Sequence, residues 1–255
     1  EKAANEELIF EHPEVDVYAL LQSKKRKVIT GVGYVTDRAR YHFFDKERAD
    51  LQEELESRLP GREVTVTSMS KDEDKVLLHA GGDRTQGAYY FYDRATGEFC
   101  KLAELSPWLP EDELAPMKPV QYTARDGLII HGYLTQPVNS DGRNLPVVIH
   151  PHGGPWARDS WGYDSEVQFL ASRGLAVLQI NFRSSTGYGR AFWEAGFKQW
   201  GRAMQDDITD GVKWLIEQGI ADPKRIGIYG GSYGGYAVLA GLAFTPGLYA
   251  CGVDY

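Results

Sequence analysis

One stretch limits what this chain can fold into more than any other: Gly230-Gly231-Ser232-Tyr233-Gly234-Gly235. The short apolar run Arg225–Tyr229 precedes it, and the apolar stretch Tyr236–Ala243, with helical character, follows. Strand, sharp turn and helix around a Gly-x-Ser-x-Gly core form the pattern of a nucleophile elbow. The serine must project its hydroxyl off a strained turn, and the turn closes so tightly that flanking side chains have to vanish, hence the glycines. The backbone N–H of Tyr233 then falls at a helix N-terminus, where it can stabilise a developing oxyanion. The bland alternative is a glycine-rich turn in which Ser232 only caps the helix.

Bulk properties narrow the partners. With 255 residues there is enough chain for one large domain or two ordinary ones. A net charge of −8 gives a nucleic-acid partner no electrostatic support. No His, Cys or carboxylate group shows metal-ligand spacing, no cofactor motif is evident, and Cys100 and Cys251 fall in different expected domains. No apolar run reaches membrane-spanning length, so no membrane partner is expected. The chain opens on Glu1 rather than Met and carries no signal-like segment, which reads as a trimmed start and leaves the compartment open.

Residues 1–105 read as short β-prone runs separated by turns: Glu7–Phe10, Val15–Leu20, Val28–Thr36, Tyr41–Phe44, Arg62–Ser68, Lys75–Ala80, Ala88–Tyr92 and Phe99–Leu102. Strands recurring about every ten residues suggest a sandwich, a barrel or propeller blades. Leu51, Leu55 and Leu59 break the rhythm with helical spacing, behind Asp45 as N-cap and ahead of Pro60-Gly61 as a stop. Prolines at 107, 110, 116 and 119 deny both helix and sheet and place a domain boundary near residue 117. From there strands alternate with helices, the helices expected at Trp161–Arg173 and Asp206–Gln218, as in a mostly parallel α/β sheet. Ligands of such sheets bind at the carboxyl ends of the strands, where Ser232 would sit.

A second motif, His150-Pro151-His152-Gly153-Gly154-Pro155, follows the buried strand Leu145–Ile149. Two glycines just past a strand let the backbone approach a substrate, and a His-Gly-Gly loop ahead of the elbow supplies a second oxyanion donor. With Asn181-Phe182-Arg183-Ser184-Ser185-Thr186-Gly187-Tyr188-Gly189 as a third motif, the sequence resembles the prolyl oligopeptidase family of serine peptidases, on its acylaminoacyl-peptidase-like and dipeptidyl-peptidase-like side. In relatives the third motif usually reads Asn-Tyr-Arg-Gly-Ser, so Phe182 and Ser184 depart from it. The resemblance implies an α/β-hydrolase fold, here the N-terminal half of that domain at 117–255, preceded at 1–116 by an all-β segment from the end of a β-propeller. It further implies Ser232 as nucleophile, Tyr233 and Gly154 as backbone oxyanion donors, His152 and Gly153 as loop support, and short peptides as substrates.

Acyl transfer by serine also needs a base and an orienting carboxylate, in the chain order Ser, Asp or Glu, His. All six histidines, at 12, 42, 79, 131, 150 and 152, precede Ser232, and the one acidic residue after it is Asp254. His152 buttresses the oxyanion loop in this reading, and Asp206 and Asp207 serve as favourable charge at a helix start. The base and its carboxylate are therefore expected downstream of residue 255, and the chain alone is expected to be inactive or nearly so. Two rivals stay open: a carboxylesterase-type acyl hydrolase, which uses the same elbow, and a degenerate scaffold or interaction protein.

Overall fold

A computed structural model describes residues 7–255. It is a mixed α/β structure built on three sheets. The first is an antiparallel set of β1 (Val17–Ser23), β2 (Val28–Val35) and β3 (Ala39–Phe43). Glu7–Phe10, expected as a strand, is not one; Phe10 stacks its ring on His42 instead.

Helix α1 (Lys46–Arg58) follows, and Asp45 caps it: its carboxylate accepts the Arg48 N–H at 3.0 Å. Leu51 and Leu55 face inward, onto Val64, Val76, Leu78 and Tyr92 of the second sheet. That sheet is the antiparallel meander β4 (Glu63–Met69), β5 (Lys75–Gly82), β6 (Thr85–Asp93) and β7 (Phe99–Glu104). The inserted helix thus closes the core of its own sheet, as the leucine spacing predicts.

The third sheet holds β8 (Met117–Thr123), β9 (Ile129–Thr135), β10 (Leu145–Pro151), β11 (Ala176–Asn181), β12 (Ala221–Gly230) and β13 (Cys251–Asp254), in the order β8-β9-β11-β10-β12-β13. The first two are antiparallel to their neighbours, and β11, β10, β12 and β13 run parallel. Every residue of β11 is buried, as expected of a central strand whose two faces are both covered. The helices are α2 (Ser165–Ala171), α3 (Gly189–Glu194), α4 (Ala203–Glu217) and α5 (Tyr233–Phe244). Met204, Ile208, Val212 and Leu215 of α4 join Ala237 and Val238 of α5 and the strand residues Ile149, Leu178, Ile226 and Ile228 in one core.

Two helix expectations need correction. The helix expected at Trp161–Arg173 starts four residues later, because Gly162 sits at φ 151° and Asp164 takes the N-cap position, accepting the Val167 N–H at 2.9 Å. The short helix α3 was not expected, having too little length to show periodicity. The strand expected at Leu248–Val253 begins only at Cys251 and lies at the end of the sheet order, with Val253 exposed.

Candidate active site

Only Gly231 and Ser232 separate β12 from α5. Ser232 holds φ 55° and ψ −119°, a conformation that costs a non-glycine residue on the order of 1–3 kcal/mol and persists only where its surroundings enforce it. The enforcement is visible. The Ser232 N–H donates to the Tyr255 carbonyl at 2.8 Å, Tyr255 N–H returns to Gly230 at 3.3 Å, and Ser232's own carbonyl accepts from Tyr236 at 3.0 Å. A Cβ on Gly234 would lie 2.3 Å from the Pro151 carbonyl oxygen, and one on Gly230 would lie 2.7 Å from the Gly234 backbone. Both neighbours are main chain and cannot yield, so these two positions require glycine.

Ser232 is exposed, and its side chain makes no capping bond to α5, so helix capping does not account for it. The loop after β10 crosses next to it: a Cβ on Gly153 would stand 3.5 Å from the Ser232 Cβ and 3.3 Å from the Gly231 carbonyl oxygen. Gly154 follows at φ 125°, where a side chain would press on the Trp156 nitrogen at 2.6 Å. Elbow and glycine loop, read from segments 80 residues apart, are therefore neighbours.

His152 is buried behind them. Its Nδ1 lies 2.7 Å from the Gly153 carbonyl oxygen, a position an N–H fills favourably, and its Nε2 lies 2.8 Å from the Ser185 hydroxyl. That hydroxyl also lies 2.6 Å from the Phe182 carbonyl oxygen. Burial pushes the ring's pKa down to about 4, so it is neutral at pH 7. With both nitrogens engaged away from Ser232, His152 is not arranged as its base. Phe182, fully buried, stacks on His152 at 4.4 Å on one side and meets Tyr233 at 5.3 Å on the other, joining loop and elbow through one ring.

The other histidines are occupied elsewhere. His131 stacks on Tyr188 at 4.9 Å, His150 packs edge-on to Tyr229 with Nε2 4.0 Å from Glu166, and His79 bonds the Gln86 carbonyl. Among the described residues no histidine hydrogen-bonds Ser232, and no group of three or more His, Cys, Asp or Glu could hold a metal ion. Among them, too, no helix is long and apolar enough to cross a membrane.

Several supports of the site carry no local sequence signal. Asp207 is not merely favourable charge at the start of α4. It is completely buried and accepts from Arg183 three times, from the backbone N–H at 2.9 Å, Nε at 2.9 Å and Nη2 at 2.7 Å. Arg183 also reaches Asp126 at 2.7 Å, while Asp206 pairs with Arg125 at the surface. This fork anchors the loop after β11, which carries both Phe182 and the His152 partner Ser185. In the same loop Ser184 adopts φ 79°, the left-handed region that glycine would take without cost, and its hydroxyl donates to the Trp193 carbonyl at 3.0 Å.

Residues 161–255, which include both the Asn181–Gly189 loop and the elbow, match the model of the prolyl oligopeptidase family. Dipeptidyl aminopeptidase BIII of Pseudoxanthomonas mexicana is 44% identical over 214 residues, 81% of this chain and 31% of that protein. The chain belongs to the prolyl oligopeptidase family. Dipeptidyl peptidase family member 6 of Caenorhabditis elegans, 34% identical, covers 76% of the chain with 29% of its own length. A Mycobacterium tuberculosis puromycin-hydrolyzing peptidase superposes with a TM-score of 0.72 at 29% identity, over 88% of this chain and 35% of that one. The chain thus spans about a third of the length of the prolyl oligopeptidase family relatives it matches.

Proposed function

We propose that the protein carrying this chain is a serine peptidase that cleaves short peptides through an acyl-enzyme, with Ser232 as nucleophile. The observation that carries the reading is the strained, exposed Ser232, whose hydroxyl makes no cap and beside which the Gly153–Gly154 loop passes. Peptide bond attack puts negative charge on the carbonyl oxygen, and the backbone N–H groups of Tyr233 and Gly154 are the donors we assign to it. Tyr233 N–H is free for that role as a first-turn donor of α5, and Gly153 allows the close approach. His152, neutral and tied to Ser185, holds the loop in place as loop support. The base and its orienting carboxylate belong to a part of the protein other than these 255 residues, since no histidine among the described ones engages Ser232. This chain by itself is then expected to be inactive or nearly so, because loss of triad members leaves a small residue of the catalytic power.

In domain terms we assign 117–255 to an incomplete α/β-hydrolase domain and 1–116 to the closing part of a β-propeller. The six-stranded order with the elbow after its fifth chain-order strand, and the four-stranded antiparallel meander, support that division. That two relatives are named as a dipeptidyl aminopeptidase and a dipeptidyl peptidase supports the peptidase reading over a carboxylesterase. The test is fluorophosphonate labelling of the full protein, with Ser232→Ala alongside, followed by turnover of dipeptide anilides against ester substrates. Labelling that survives Ser232→Ala removes the nucleophile assignment; faster ester than peptide turnover replaces the peptidase by a carboxylesterase; and absence of labelling supports a scaffold instead.

A further inference from the structure

The three-stranded sheet and the chain leading into it meet the six-stranded part through several polar contacts, and one of them is made by Arg158. Its Nη2 donates to the Thr36 carbonyl in the β2–β3 turn at 2.6 Å, and its Nη1 donates to the Gly187 carbonyl at 3.1 Å. Its guanidinium lies 3.9 Å from the centre of the Tyr188 ring, which stacks in turn on His131. The same Gly187 carbonyl accepts the Asp16 N–H at 3.1 Å from the other side. A cavity of about 440 Å³, bordered by Thr36, Asp37, His131, Tyr133 and Tyr188, adjoins this junction. A few directional bonds, rather than a packed apolar core, therefore hold the two sheets together here.

Arg158 stands four residues beyond Gly154, and the intervening chain is stiff. Ala157 N–H closes a turn onto the Pro155 carbonyl at 2.9 Å, and the Ala157 carbonyl accepts from Thr186 at 2.9 Å. Asp159 is clasped by the Asn181 side chain, its N–H to Oδ1 at 2.8 Å and its carbonyl from Nδ2 at 3.0 Å. A shift of the Arg158 contact would thus be passed back along a short, hydrogen-bonded segment to the Gly153–Gly154 loop.

We propose that Arg158 is a positioning residue. It fixes the glycine loop against the β2–β3 turn, so that docking of the three-stranded sheet sets where the Gly154 N–H points. The proposal rests on the reading of Gly154 as an oxyanion donor. Displacement of a positioned group by about 1 Å can cost on the order of a hundredfold in rate. A donor that acts on charge developed only in the transition state affects kcat rather than KM.

The experiment is steady-state hydrolysis of a dipeptide anilide by the full protein, comparing Arg158→Ala, Arg158→Lys, Tyr133→Phe and Ser232→Ala. Tyr133→Phe deletes another bond to the same turn, its hydroxyl donating to the Asp37 carbonyl at 2.9 Å, but that bond lands on β9 and not on the glycine loop. Arg158→Ala is expected to lower kcat roughly 10- to 100-fold with KM nearly unchanged. Arg158→Lys, which can reach one carbonyl but cannot fork and stack, is expected to recover part of that loss. Tyr133→Phe is expected to keep the parental kcat. Parental kcat in both Arg158 variants, with Ser232→Ala inactive, overturns the positioning role while leaving the nucleophile intact. An equal kcat loss in Tyr133→Phe also overturns it, because any loosening of the junction would then suffice. Activity that survives Ser232→Ala overturns the nucleophile and the positioning role together.

Discussion

Gly196 and Ser184 offer a sharp test of how the loop beneath the site is packed. Gly196 lies just past α3, with a backbone conformation open to any residue. A Cβ there would stand 2.3 Å from the Ser184 Cβ, 2.8 Å from its Oγ and 3.1 Å from the Arg183 carbonyl oxygen. Two of these three contacts belong to the Ser184 side chain, so Gly196→Ala alone should be overpacked by about 2 kcal/mol. Ser184→Gly removes the left-handed strain, worth about 1–2 kcal/mol, but forfeits a hydrogen bond of about 1 kcal/mol and loosens the unfolded chain by up to ~1 kcal/mol. Its net effect should lie near zero. With both changes present the methyl gains the space of the lost hydroxymethyl, and only the Arg183 carbonyl contact stays tight. The expected coupling is therefore about 1–2 kcal/mol in favour of the double variant, read from a four-member cycle by urea unfolding. Additivity within about 0.5 kcal/mol would refute the reasoning, since it would mean that the two residues do not share the space the structure gives them.

Three further outcomes are expected. Asp207→Asn should destabilise by about 3–5 kcal/mol, because it strands the buried Arg183 fork, whereas Asp206→Asn at the exposed Arg125 pair should cost no more than about 1 kcal/mol; chemical unfolding separates them. His152, with its pKa lowered to about 4, contributes stability that is fully present above its unfolded value near 6.5 and declines as pH falls from there towards 4. Asp159, raised to about 7 by burial, works in the opposite sense, so the His152 slope should be measured in an Asp159→Asn background, where His152→Asn is expected to flatten it. Gly234→Ala should destabilise by about 1–3 kcal/mol or more and abolish fluorophosphonate labelling, since its methyl would meet the Pro151 carbonyl at 2.3 Å; normal labelling would show that the elbow tolerates a side chain there.

What the sequence reveals and what it hides divide along physical lines. The elbow, the glycine loop and the Asp45 cap are legible because each is written in adjacent residues: glycines where a backbone must pass close, a carboxylate where a helix's first N–H groups need a partner. Strand adjacency is not so written. Nothing in Leu145–Pro151 states that it lies between β11 and β12, so the sheet order comes only from the folded chain. Asp207 shows how a locally sufficient explanation conceals a distant one: an acid near a helix start already has a reason to be there, and Arg183, 24 positions earlier, gives it a stronger one. Ser184 in place of the family's glycine looks slight in sequence, yet it occupies the left-handed region, and Gly196 supplies the space that its side chain uses.

The hydrogen bonds that close the turn at Ser232 have a further consequence for how the protein is made. Ser232 donates to Tyr255, and Tyr255 donates back to Gly230, so the lock on the turn is chain that a ribosome delivers after the elbow and after α5. Before β13 has paired with β12, the turn lacks both bonds to Tyr255, and the contacts of Tyr236 and Pro151 alone hold the serine at positive φ. The geometry of Ser232 thus depends on the pairing of β13 with β12 as well as on its own glycines. A nascent chain carries the serine for some time before it carries the site.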